Sequence, residues 1–128
     1  MDPRATITAY YDALRAGDPL GPYFTSEEPG DDPCVKFGIS EQLVGAEQIE
    51  SGLRAQTEST TDWAVDSEAL RVCERDDHAW FSDKVAMGWT DAETAVRYEF
   101  DTRWSGTLTA TSNGWRFVGM HVSTADRF

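Results

Sequence analysis

The chain has 128 residues, 40% of them hydrophobic and 27% charged, with five Trp, four Tyr and six Phe. That supplies one folded core, a single domain over 1–128, and excludes a disordered chain. A formal net charge of −12 repels phosphate backbones and anionic bilayers, so neither a nucleic acid nor a membrane surface is expected as a partner.

The basic residues are nine Arg and only two Lys, Lys36 and Lys84. Many acids with few lysines resembles the compositional bias of halophilic archaea; an ordinary acidic bacterial protein is the other reading. No run of roughly eighteen apolar residues predicts a membrane span. The start, Met1-Asp2-Pro3-Arg4, lacks the basic stretch and apolar core of a signal peptide, so a cytoplasmic protein is expected. Cys34 and Cys73 stand apart, without CxxC or metal spacing, and read as reduced and buried. There is no Gly-rich phosphate loop and no ligand cluster, so neither cofactor nor metal is expected.

In chain order, Asp2 is a good N-cap and Pro3 suits the first helical position. Ile7, Tyr10, Tyr11 and Leu14 follow with helical spacing, and Gly17 ends the helix. Asp18-Pro19 starts a second, short helical turn carrying Leu20, Tyr23 and Phe24. Residues 25–33 form an acidic loop rich in breakers. Cys34 to Phe37 and Glu41 to Val44 make two short strands around Gly38. Gly45 opens a third helix, with Ala46, Ile49 and Leu53 on one side, ending near Gln56 or Thr57.

The rest reads as sheet. A strand over 62–74 changes phase midway, which predicts a bulge. The turn at 75–78 leads to a strand over 79–90. Residues 95–112 form an unusually long strand, which Ser105-Gly106 is expected to bend. Ser112-Asn113-Gly114 is a hairpin turn, and Trp115 to Ser123 is the last strand. Helices segregated from an antiparallel meander mean an α+β fold. The prediction is a strongly curved, cone-shaped antiparallel sheet packed against three helices from the N-terminal half, with a cavity inside.

Four words carry a resemblance. They are Tyr10-Tyr11-Asp12-Ala13-Leu14-Arg15-Ala16-Gly17-Asp18, Leu43-Val44-Gly45-Ala46-Glu47-Gln48-Ile49, Asp77-His78-Ala79-Trp80, and the run from Asn113-Gly114-Trp115 to Ser123. Their order and spacing, over roughly residues 3–123, resemble the SnoaL-like families of the nuclear transport factor 2-like superfamily (a cystatin-like fold). The resemblance implies a fold that hosts ketosteroid isomerases, polyketide cyclases, scytalone dehydratase, limonene epoxide hydrolase and a kinase association domain. It implies that the tyrosine of the steroid isomerases corresponds to Tyr10. Their carboxylate base would fall near Phe37-Gly38 and their second acid near Ser105-Gly106, and neither place holds an acid. The Asp-Arg-Asp arrangement of the epoxide hydrolase is also missing.

Six residues are candidate ligand contacts: Tyr10, Trp80, Lys84, Arg103, Trp104 and His121. His121 is in phase with Trp115, Phe117 and Gly119, and the resemblance implies that it points into the cone. There it is a general base or a ligand contact; otherwise it is a satisfied core histidine. Lys84, in phase with Trp80 and Ser82, is an anion anchor or a solvated lysine. Arg103 shares a charged stripe with Arg97, Glu99 and Asp101, which reads as an outer or dimer-facing face that the bend turns inward at most at its end. Tyr10 is buried, with its hydroxyl in the cavity or bonded in the core. Trp63, Trp80 and Trp104 line an aromatic pocket or pack in the core. His78, beside Asp76 and Asp77, reads as a solvated turn.

Three functions follow. The first is a small-molecule-binding protein with a mostly apolar pocket and Lys84 and His121 as polar anchors. The second is a cofactor-free isomerase, cyclase or hydratase using His121 and Tyr10 for proton transfer. The third is an interaction module with its cone filled by side chains. A two-fold homodimer through the sheet is expected under all three.

Overall fold

A computed structural model describes residues 1–27 and 31–126. Part of the predicted acidic loop, residues 28–30, lies outside the described residues.

Helix α1 spans Pro3–Ala16. The Asp2 carboxylate accepts from the Ala5 N–H at 2.8 Å, and Pro3 occupies the first turn, where no donor is needed. Gly17 closes the helix at φ +73°, a left-handed conformation that glycine adopts without strain. The buried face carries Thr6, Ile7, Tyr10, Tyr11, Ala13 and Leu14. Arg15 donates to the Val65 carbonyl and ties this helix to the sheet.

The second predicted helix is a single 3₁₀ turn, Gly21–Tyr23, so two α-helices stand where three were expected. Pro19 and Pro22 lack backbone N–H donors and Gly21 adds backbone freedom, so this short segment does not nucleate an α-helix. The short hairpin β1 (Val35–Phe37) and β2 (Gln42–Val44) follows. Helix α2 spans Ala46–Ser59 and buries Ile49 and Leu53. Its first N–H groups lack a side-chain cap from Gly45, and Glu27 accepts from Ala46 instead.

The remaining strands are β3 (Thr60–Ser67), β4 (Arg71–Glu74), β5 (His78–Asp91), β6 (Arg97–Thr111) and β7 (Gly114–Thr124). The order across the sheet is β2-β1-β7-β6-β5-β3, with β4 also paired to β5. Only β1 and β7 run parallel; the other pairings are antiparallel. The single strand predicted over 62–74 is two, β3 and β4, broken at 68–70, and the β-bulge lies near the start of β3, between Thr61 and Ala64, rather than midway. Among the described residues, no helix is long and apolar enough to cross a membrane.

A bulge in β7 and the phase of β5 decide which side chains face the helices. In β7, Thr107 pairs with Gly119 but Leu108 pairs with Phe117, so Val118 is an extra residue, a β-bulge. Phe117 before the bulge and Met120 and Val122 after it are therefore all buried. In β5 the inner set is Ala79, Phe81, Asp83, Val85 and Met87, every one of them buried. Phe117 packs with Phe81, Phe24 and Tyr10 at ring separations of 5.8, 5.4 and 5.4 Å.

Asp83 is the exception on that apolar face. Its carboxylate accepts from the Tyr11 hydroxyl at 2.9 Å, the Ser67 hydroxyl at 2.6 Å and the Ala69 N–H at 3.0 Å. Burial, and then the bond to Asp83, push the Tyr11 hydroxyl far above its ordinary pKa, so it stays a donor. One carboxylate thus joins α1, the end of β3 and the break between β3 and β4.

Candidate functional site

Between α1, the β1–β2 turn, the end of α2 and the inner face of the sheet lies a cavity of about 140 Å³. Its apolar wall is made by Leu14, Ile39, Met87 and Val122, and by the indoles of Trp63, Trp89 and Trp104. Its polar groups include Tyr10, Lys36 and Glu41.

The indoles of the wall are held by hydrogen bonds and ring stacking. Trp104 Nε1 donates to the Thr102 hydroxyl at 2.9 Å, which in turn donates to the Val85 carbonyl at 2.7 Å. Trp63 Nε1 donates to Thr60 Oγ1 at 2.8 Å. Trp63 stacks on Trp89 at 5.1 Å, and Trp89 stacks on Tyr98 at 5.6 Å. Indoles whose N–H groups are bonded elsewhere present their faces to the cavity as apolar surface.

Tyr10 is held by edge contacts to Tyr23, Phe24, Trp104 and Phe117. Its hydroxyl bonds to no described residue, and no fully buried side-chain oxygen or nitrogen lacks a partner. The hydroxyl therefore reaches the free space of the cavity it lines. Burial, with the Glu41 charge as a lesser cause, pushes its pKa far up. It keeps its proton and acts as a donor.

Lys36 is 5% exposed, the single buried cation among the described residues. Strand β1 turns Lys36 inward and Phe37 outward, by simple alternation. The Lys36 ammonium pairs with Glu41.

Four of the six candidate contacts are not in this cavity. Trp80, Lys84, Arg103 and His121 are exposed on the outer face of the sheet. His121 is outside because the bulge at Val118 reverses the phase that links it to Phe117. Its ring lies 5.8 Å from the exposed Phe37. Lys84 and Trp80 are outside because the apolar set of β5 is the odd-numbered one. Arg103 lies directly opposite Lys84 across the β5–β6 ladder, on the charged outer stripe. Tyr10 and Trp104 do line the cavity. His78 is the first residue of β5, just past the predicted turn, and bonds Asp77 at 2.8 Å; no group of metal ligands occurs among the described residues.

Lys36 and Glu41 were not singled out from the sequence, although a signal existed. Cys34 reads as buried, and a strand places Lys36, two residues on, on the same face. Cys34 is indeed buried, and burial pushes its thiol up to about 11, which keeps it an unreactive packing group.

The SnoaL-like domain family model matches residues 4–127. No curated protein matches the sequence. Among solved structures, a proposed dehydratase of the nuclear transport factor 2-like family from Streptomyces avermitilis aligns with a TM-score of 0.84 at 14% identity, covering 96% of this chain and 93% of that one. A ketosteroid isomerase-like protein from Erwinia carotovora atroseptica aligns with a TM-score of 0.75 at 19% identity, covering 97% and 94%. A nuclear transport factor 2-like superfamily protein from Salmonella enterica serovar Typhimurium gives 0.78 at 16%, covering 96% and 88%. Identities this low carry the fold alone. The match over nearly the whole chain makes the protein a member of the SnoaL-like domain family.

Proposed function

We propose that the protein binds a small organic molecule, about one six-membered ring in size, in the inner cavity. The observation that carries this reading is a void of about 140 Å³ walled by three indoles, with the unbonded Tyr10 hydroxyl and the Lys36–Glu41 pair at its polar end. A dry apolar cavity of about 150 Å³ takes benzene. A binding site is typically a concave apolar surface with a few convergent polar groups. The void also argues against a cone filled by its own side chains.

Single-ring compounds are expected to raise the melting temperature by several degrees at about a hundredfold excess over Kd. Four-ring steroids, which the half-open pocket of about 140 Å³ cannot enclose, are expected to give a smaller shift than single-ring compounds. A panel in which steroids shift the melting temperature and no single-ring compound does would remove this reading.

Proton transfer is the second reading. It cannot run through His121, which is on the other face; Glu41 is the one carboxylate lining the cavity. An enzyme of this kind loses turnover but not binding in Glu41→Gln.

The assembly we propose is a homodimer through the outer face, where Trp80 and Phe37 are 44% and 42% exposed. Trp80→Arg is expected to convert a dimer to a monomer in analytical ultracentrifugation. A wild-type protein that sediments as a monomer at all concentrations contradicts the assembly, without touching the cavity.

A further inference from the structure

A buried ammonium needs a partner, because stripping its water costs more than any neutral wall returns. Lys36 has one, Glu41, but the two are unequally committed. The Lys36 side chain is 6% exposed and fixed on β1; that of Glu41 is 30% exposed. Glu41 closes the turn from Gly38, whose N–H donates to the Glu41 carbonyl at 3.0 Å. This turn joins β1 to β2, the terminal strand of the sheet. The Glu41 side chain folds back over Gly38 so closely that a Cβ there would lie 2.5 Å from Glu41 Cγ. The cation is thus built into the cavity, whereas the anion reaches in from the rim.

We infer that the ligand of this cavity is a single-ring carboxylate, and that Glu41 holds the ligand carboxylate's place on Lys36 until the ligand displaces it. The inference rests on the cavity being the binding site. The ring lies against the faces of Trp63 and Trp104 and against Met87, which all line the void. One carboxylate oxygen takes over the Lys36 ammonium, and the other accepts from the Tyr10 hydroxyl, which bonds to no described residue. The exchange moves one anion out to the rim and one in, so the charge around Lys36 is conserved and no proton is transferred. Glu41 loses little by leaving, since its carboxylate is already in part hydrated.

The inference is tested by calorimetric titration with benzoate and its neutral near-isostere benzamide. Wild-type protein is expected to bind benzoate about tenfold more tightly than benzamide. Glu41→Gln removes the internal competitor and is expected to tighten benzoate about tenfold more, with a much smaller change for benzamide. Lys36→Met is expected to abolish the preference for benzoate. Equal affinities for the two compounds in wild type and in Glu41→Gln, or weaker benzoate binding in Glu41→Gln, overturn the inference while leaving the cavity as a neutral-ligand site. Binding of neither compound to either protein overturns the cavity reading as well.

Discussion

Asp83→Ala is expected to destabilise the protein by about 3 kcal/mol, read as a lower midpoint in urea at unchanged slope. The carboxylate leaves three donors behind: the buried Tyr11 hydroxyl, the half-buried Ala69 N–H and the hydroxyl of Ser67, an exposed residue. Each unsatisfied donor costs about 1–3 kcal/mol, in part recovered where water enters beside Ser67. Asp83→Asn is expected to be milder, at about 1–2 kcal/mol. Its oxygen can still accept from Ala69, and its amide can donate to the two hydroxyls, which then act as acceptors. Asp83→Leu distinguishes a polar role from a packing one. If Leu is tolerated better than Asn, the network contributes nothing that apolar contact cannot replace.

Gly106→Ala is expected to cost about 2–4 kcal/mol, the largest loss for a single added methyl in this sheet. An added Cβ would lie 2.5 Å from the Gly119 carbonyl oxygen and 2.8 Å from Phe81. The backbone oxygen cannot turn aside without breaking the β6–β7 ladder, which pairs Gly106 with Met120. Gly119→Ala is the matched control. There the nearest atom, the Val35 carbonyl oxygen, is 3.9 Å away, and a change within about 0.5 kcal/mol is expected. Similar losses for the two variants in thermal unfolding would show that strand flexibility, rather than close approach, fixes glycine at 106.

The elements that announce themselves locally were legible in the sequence. Asp2-Pro3 and Gly17 bracket α1 because a cap, a ring-locked φ and a left-handed stop act within one turn of chain. Asn113-Gly114 places the last hairpin for the same reason, with Gly114 at φ +104°. The curved sheet under helices followed from the order of these elements.

Which face of a strand looks inward was less legible, because one extra residue reverses it. The resemblance implies a His121 that points into the cone, in phase with Phe117, but Val118, next to Gly119, interrupts that phase as a bulge. In β5 the sequence leaves open which set, the even one with Trp80 and Lys84 or the odd one, faces inward. The odd set contains Asp83, an acid that looks misplaced until Tyr11, 72 residues away in sequence, supplies its donor. Lys36 was passed over because a three-residue strand offers almost no periodicity. Long-range pairing decided each of these positions, and a single sequence does not display it.

The central claim is that the inner cavity, and not the outer face that carries His121 and Lys84, is where a ligand sits. A crystal structure of the protein soaked with benzamide tests it most directly. The account predicts ring density between Trp63, Met87 and Trp104, with the amide oxygen in hydrogen-bond reach of the Tyr10 hydroxyl. Density beside His121 on the outer face, with the inner cavity empty or collapsed, would contradict it.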